Sequence, residues 1–241
     1  MKKAVAVIPC RYGSSRFPGK PLALILGKPM IQWVYEGIKQ AEFVDRVIIA
    51  TDDERILGAA EAFSAEAIMT SSGHRTGTER VAEVARTLEV PLVINVQGDE
   101  PLITGEMVDV LVRALQDGST QMASLMAKVF DLSLIGDPNI VKVVADSQGT
   151  ALYFSRSPLP YQAPDFFYQH IGAYGFQRDF LLKLVEMSRS GLEKAENLEQ
   201  LRAIENGHKI RMIEIPRPTL SVDTPEDIIR VENYLKTREN G

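Results

Sequence analysis

The five residues from Ala4 to Ile8 are all apolar, and a few positions later the chain becomes a loop carrying Arg11, Gly13, Ser14, Ser15, Arg16, Gly19 and Lys20. An apolar run without polar alternation marks a strand covered on both faces, the habit of parallel sheets with helices on each side. The chain is thereby constrained to an α/β architecture, with the loop at the carboxyl end of its first strand. Ligands of open α/β sheets bind at that end. Arg11, Arg16 and Lys20 crowd three cations between positions 11 and 20 with no acid among them, so an anion is needed to offset their repulsion. Polyphosphate suits that need. Two familiar phosphate loops do not fit, because the spacing of Gly13 and Gly19 breaks both the dinucleotide and the Walker A patterns. Pro21 after Lys20 also leaves no hydroxyl there for a metal, which weakens a kinase or ATPase reading.

Strand and helix patterns alternate along the rest of the chain. A helix is expected over 29–40, with Met30, Trp33, Val34 and Ile38 on its core face, and a second buried strand over 47–50. Asp52 and Asp53 then open a helix reaching 63, where acids cap free N–H groups and oppose the helix dipole, so no metal is needed to explain them. After a short strand at 66–69, the Gly-broken loop 71–80 holds Ser72 and Arg75 and leads into a helix to 88, with Thr76 or Thr78 as its cap. A third buried strand, 92–96, ends in Gln97-Gly98-Asp99-Glu100-Pro101. A carboxylate at a strand end, beside a glycine that lets a ligand approach the backbone, suits a divalent cation shared with phosphate. Asp99 is the first candidate metal ligand.

The helix 104–116 and the strand 122–129 read as structural. From 137 to 167 short apolar runs at 142–144 and 151–154 are punctuated by prolines, which indicates an inserted β region. Further on, a helix with Leu198, Leu201 and Ile204 inward would leave Glu199, Gln200 and Arg202 outward. A strand follows over 209–215. Thr224, Pro225 and Asp227 then make a strong helix start, with Asp223 just outside it.

With 241 residues and no Pro/Gly/Ser-rich linker, a single domain is expected, and 45% hydrophobic residues are enough for a substantial core. No run approaches the roughly 18 apolar residues of a membrane span, so no membrane insertion and a cytosolic location are expected. The single cysteine, Cys10, closes a buried strand and reads as a small core residue; no Cys/His cluster offers a zinc or iron–sulfur site. A net charge of −5 argues against nucleic acid as a bulk partner.

The run from Ile8 to Leu22, IPCRYGSSRFPGKPL, resembles the nucleotide-binding signature of the 3-deoxy-manno-octulosonate (Kdo) cytidylyltransferases, the CMP-Kdo synthetases of bacterial lipopolysaccharide synthesis. The resemblance extends over essentially the whole chain. It departs at Cys10 and Phe17, where the family usually has Ala and Leu, and at Thr76 and Glu79 in an element otherwise similar to His-x-Ser-Gly-Thr-Asp-Arg. The resemblance implies a three-layer, Rossmann-like nucleotidyltransferase fold with a mainly parallel central sheet. It also implies a homodimer built partly on an inserted β region at roughly 137–175. CTP would meet Arg11, Gly13, Ser14, Ser15, Lys20, Ser72, Arg75 and Gln97, and Mg²⁺ would be held by Asp99 and Asp223. Arg11, Arg16, Lys20, Asp99 and Asp223 form the implied catalytic set. The sugar acid would meet Arg156, His170, Tyr174, Glu199, Gln200 and Arg202, which supply a guanidinium for a carboxylate and mixed donors and acceptors for hydroxyls. The implied reaction is attack of the anomeric hydroxyl of Kdo on the α-phosphorus of CTP, giving CMP-Kdo and pyrophosphate. A cytidylyltransferase for another sugar acid, such as an amino-substituted Kdo or a sialic acid, and a silent nucleotide-binding module are the alternatives.

Overall fold

Strand β1 (Ala4–Cys10) is buried at every position, and its alternate residues enter two different cores. Ala4, Ala6, Ile8 and Cys10 face one, Val5 and Val7 the other. The computed structural model describes residues 4–13, 17–163 and 165–239. A hairpin of β2 (Leu24–Ile25) and β3 (Lys28–Pro29) follows the first loop. The chain then runs α1 (Met30–Lys39), β4 (Val44–Thr51), α2 (Glu54–Ala62), β5 (Glu66–Met69), α3 (Gly77–Arg86) and β6 (Leu92–Val96). It continues through α4 (Gly105–Ala114), β7 (Met122–Val129), β8 (Lys142–Ala145), β9 (Ala151–Ser155) and β10 (Phe167–Gln177). Helices α5 (Arg178–Glu186), α6 (Gly191–Glu196) and α7 (Leu201–Glu205), strand β11 (Arg211–Ile215) and helix α8 (Pro225–Glu239) complete it.

Among the described residues, nine strands form one sheet with the central order β11-β7-β10-β6-β1-β4-β5. Strands β6, β1, β4 and β5 are mutually parallel, and β11 is parallel to β7; β10 runs antiparallel to both of its neighbours. Apolar residues of α1, α2 and α4 cover one face, and those of α3, α5 and α7 the other. The expected three layers are therefore present, and they explain why β1, β4 and β6 carry nearly unbroken apolar runs.

The chain moves from β1 outward through β4 to β5, then returns to place β6 on the other side of β1. The carboxyl ends of β1 and β6 thus diverge at the switch point where α/β sheets bind ligands. Close packing there depends on small residues. A Cβ on Gly105, at the start of α4, would lie 2.4 Å from the carbonyl carbon of Gln40, so the α1–α4 contact requires glycine.

In the region expected as an inserted β segment, β8 pairs with β10 and β9 with β8, all antiparallel, extending the main sheet. A boundary at 175 would cut through β10, whose later residues pair with β6 and β7. At 198–205 the structure does not leave the polar residues on an open helix face, which was the alternative to a place beside the sugar acid. Only Leu201–Glu205 is helical, and Gln200 and Arg202 are buried, because this short segment is enclosed between the sheet, α5 and α6.

Candidate active site

Lys20 opens the first turn after the cationic loop, and its ammonium donates to Asp99 Oδ2 at 2.6 Å, to the Val222 carbonyl at 2.9 Å and to Asp223 Oδ1 at 3.5 Å. Residues from three distant parts of the chain therefore share one cation. Gly19 makes the turn possible, with φ of 72° and the Tyr12 ring 3.1 Å from where a Cβ would stand. Burial alone would lower the Lys20 pKa; the two carboxylates outweigh it and hold the ammonium above its ordinary value.

Asp99 is positioned by the turn that ends β6. The backbone N–H of Val222 donates to the Asp99 carbonyl at 3.0 Å, tying this turn directly to the segment carrying Asp223. Next to it, Glu100 is buried, accepting from the Gly172 N–H at 3.0 Å and the Thr219 hydroxyl at 2.9 Å. Burial, helped by the charge of Asp99, pushes the Glu100 carboxyl up to about 7. Asp223 is fixed from the other side: Asp227, in the first turn of α8, accepts the N–H groups of Asp223 and Thr224 at 3.0 and 2.9 Å. The Thr224 hydroxyl donates to the same oxygen at 3.2 Å, so the helix start works with Asp227 as its acceptor.

These groups border a polar cavity of about 500 Å³ between the carboxyl ends of β1 and β6. Its walls include Arg11, Lys20, Arg75, Gln97, Asp99, Arg156 and Asp223, all expected from the sequence. The N-terminus of α3 forms another wall. Thr76 caps it by accepting from the Glu79 N–H, and Gly77 lets the helix approach Pro9 and Gln97, both of which a Cβ would meet at 3.1 Å. A helix N-terminus with free N–H groups adds to the attraction for phosphate. Gly13 and Ser72 are exposed and do not border the cavity. Ser14, Ser15 and Arg16 lie outside the described residues.

Further wall residues were not singled out by the sequence reading. Arg80 is buried with a side chain only 4% exposed, pairs with Asp52 at 2.8 Å and bonds Thr70. His74 bonds Glu83, and Asn197, in a left-handed conformation after α6, stands beside Arg156 in the same wall. Arg80 had a signal, since it ends the loop 71–80; Asn197 had none, because its place depends on α6.

The residues expected to meet the sugar acid separate into two groups. Arg156 borders the large cavity. Tyr174, Glu199 and Gln200 instead surround a small adjoining pocket of about 10 Å³, with Thr78, Met122, Phe176 and Leu184. Thr76 lines the large cavity, and its hydroxyl donates to Glu199 Oε1 of the small pocket at 2.8 Å. Burial raises the pKa of Glu199 and of Tyr174. The Gln200 amide nitrogen is buried without a hydrogen-bond partner. His170 meets the Phe154 ring edge-to-face and the Tyr174 ring at a tilt, and burial pushes its pKa down to about 3, so the ring is neutral. The Ser124 hydroxyl donates to the Ala173 carbonyl, so His170 Nε2 is the donor in its 2.8 Å bond to Ser124.

Arg202 is not available to a substrate carboxylate in this structure. Both its side chain and that of Glu193 are 1% exposed, and its Nε and terminal nitrogen bond the two Glu193 oxygens at 2.8 and 2.7 Å. The partner, Glu193, lies on a different helix, so no spacing within the 198–205 segment shows this pairing.

An α/β sheet that gathers a lysine, two aspartates and a basic wall around a polar cavity at its switch point has the architecture of a nucleotidyltransferase. The cytidylyltransferase family model matches residues 5–210. The 3-deoxy-manno-octulosonate cytidylyltransferase of Syntrophotalea carbinolica is 49% identical over 96% of this chain and 98% of its own length; that of Pelobacter propionicus is also 49% identical, over 96% of each. A solved CMP:2-keto-3-deoxy-manno-octonic acid synthetase complexed with CTP superposes with a TM-score of 0.91 at 42% identity, covering 98% of this chain and 99% of that one. A 4-diphosphocytidyl-2C-methyl-D-erythritol synthase from Anaerococcus prevotii shares the fold at 17% identity, with a TM-score of 0.65 over 98% of this chain. The chain belongs to the 3-deoxy-manno-octulosonate cytidylyltransferase family.

Proposed function

We propose that this protein activates Kdo by transferring the cytidylyl group of CTP to its anomeric hydroxyl, with release of pyrophosphate. The observation that carries the reading is the convergence of Lys20, Asp99 and Asp223 at the mouth of the polar cavity, in a chain of this family. Arg11, Arg75 and Lys20 supply positive charge for the triphosphate, and Gln97 sits at the strand end where the base or ribose would lie. Ser14, Ser15, Arg16, Gly13 and Ser72 join this reading as the flanks of the two loops.

Asp99 and Asp223 fit a divalent cation. They face each other across an ammonium, which stands in for positive charge between them. Among the described residues no group of three or more acidic, histidine or cysteine side chains could cage an ion. Two carboxylates plus phosphate oxygens suit Mg²⁺, which keeps several waters and is seldom held by protein alone. When bound, Mg²⁺ would neutralise charge developing on the phosphates and lower the pKa of the attacking hydroxyl. The protein's own contribution is positioning: Lys20 is held by three acceptors, and Asp99 is tied to the Asp223 segment by a backbone bond.

Arg156 is the group in the cavity wall suited to the sugar's carboxylate, and Tyr174, Glu199 and Gln200 offer hydroxyl partners behind Thr76. His170 supports that pocket by ring contact with Tyr174. Arg202 joins this wall only if its Glu193 pairing changes. A homodimer is also part of the proposal: Phe130 is 70% and Leu152 57% exposed, near the strands β8 and β9 that extend the sheet. No described helix is long and apolar enough to cross a membrane, and the cytoplasm is the proposed location.

Purified protein mixed with CTP, Mg²⁺ and Kdo should release pyrophosphate, while a sialic acid or amino-substituted Kdo should react poorly. Absence of release with authentic Kdo rejects the proposal, and preference for another acid in the panel reassigns the substrate. Light scattering tests the dimer.

A further inference from the structure

Lys142 begins β8 with its side chain fully enclosed. Its ammonium uses all three donors on main-chain carbonyls: Asp137 at 2.9 Å, Ile140 at 2.7 Å and Arg156 at 2.6 Å. Among the described residues no carboxylate bonds it, and burial lowers its pKa. A buried charge without an ion-pair partner is costly, and a methionine would fill the same space without that cost. The three carbonyls belong to two separate segments, the turn at 137–140 and the end of β9.

Arg156 connects the same two segments a second time. It hangs from the carbonyl that Lys142 holds, and its guanidinium donates to the Pro138 carbonyl at 2.8 Å. Its Nε donates to the Glu196 carbonyl at 3.1 Å, while its backbone N–H donates to the Glu196 carboxylate at 2.9 Å. Two of the five guanidinium donors are thus placed on carbonyls, leaving the others for a ligand in the cavity that Arg156 borders.

We propose that Lys142 is a positioning residue for the sugar-acid subsite: by clamping the 137–140 turn to the Arg156 main chain, it fixes the guanidinium that pairs with the substrate carboxylate. This inference rests on the assignment of Arg156 to the sugar acid made above. It gives a chemical reason for a buried cation held by main-chain carbonyls behind a residue of the cavity wall.

Steady-state kinetics of Lys142→Met, Arg156→Met and the double variant test it, with CTP affinity measured by calorimetry. Loss of one well-aimed charge-assisted bond should raise the KM for Kdo about tenfold or more in Lys142→Met, with kcat within about threefold and CTP affinity within about twofold. A residue acting through Arg156 adds nothing once Arg156 is gone, so the double variant should match Arg156→Met. An unchanged KM for Kdo in Lys142→Met, parallel weakening of CTP, or additive losses in the double variant would each overturn the inference. Arg156→Met alone decides the underlying assignment: if it leaves the KM for Kdo unaltered, that assignment falls with the inference. Should Lys142→Met not fold, Lys142→Gln, which keeps two neutral donors, carries the same comparison.

Discussion

Two buried groups make stability depend on pH in opposite directions, and substituting either one exposes the other. His170 has its pKa depressed by burial from 6.5 to about 3, so its contribution is complete above 6.5 and is lost as pH falls. The unfolded chain takes up a proton that the native ring refuses. Glu100 has its pKa raised from 4.5 to about 7, first by burial and then by the charge of Asp99. Its contribution is complete below 4.5 and is lost as pH rises. At 1.36 kcal/mol per pKa unit, each group changes stability by about 2 kcal/mol between pH 6.5 and 4.5, with opposite sign. The perturbation is His170→Gln, which cannot titrate and keeps an amide donor for Ser124. Urea unfolding of parent and variant across this range gives the difference in free energy at each pH. Lost packing offsets all points equally, whereas the missing proton uptake makes the variant gain about 2 kcal/mol relative to the parent on acidification. Glu100→Gln should show the mirror image, gaining as pH rises. A difference that stays flat for His170→Gln would show that the native ring protonates as freely as the unfolded one and would refute the reasoning.

Asp99→Asn and Asp223→Asn should each lower turnover by about 100-fold or more without a large change in melting temperature, since each removes charge from one side of the shared site. Retained turnover removes that residue from the proposed metal-binding pair. Arg202→Met leaves the enclosed Glu193 with Arg189, at 2.9 Å, as its charged partner among the described residues, and should cost about 3–5 kcal/mol by urea denaturation. A loss below about 1 kcal/mol would mean that Glu193 becomes protonated or reaches water. Gly98→Ala places a Cβ 2.7 Å from Cys10 Sγ, so it should destabilise by about 1–3 kcal/mol, and adding Cys10→Ala should restore most of that loss. Failure of this rescue would place the strain elsewhere.

Much of the sheet could be read from the chain because β1, β4 and β6 are buried on both faces, and three helix starts because Asp53, Thr76 and Asp227 carry their own acceptors. The meeting of Asp99 with Asp223 had no local signal. It depends on the hydrogen bond from Val222 to Asp99, across strands that a linear pattern cannot order. The pairing of Arg202 with Glu193 was hidden for a related reason. Its helical spacing suggested an outward face, but the segment is short and α6 brings Glu193 against it. The limits of the inserted region were blurred because β10 serves both the extension and the main sheet, and register cannot be seen from proline punctuation.

The Lys20 ammonium and the Asp223 carboxylate it touches are separated by 203 positions in the chain. On a ribosome adding roughly 5–20 residues per second, the lysine emerges tens of seconds before its second acid exists. For that interval the nascent protein carries the cationic loop without the full set of acceptors that holds Lys20 in the finished fold. Termination before Val222 would therefore release a product whose Lys20 lacks two of its three acceptors.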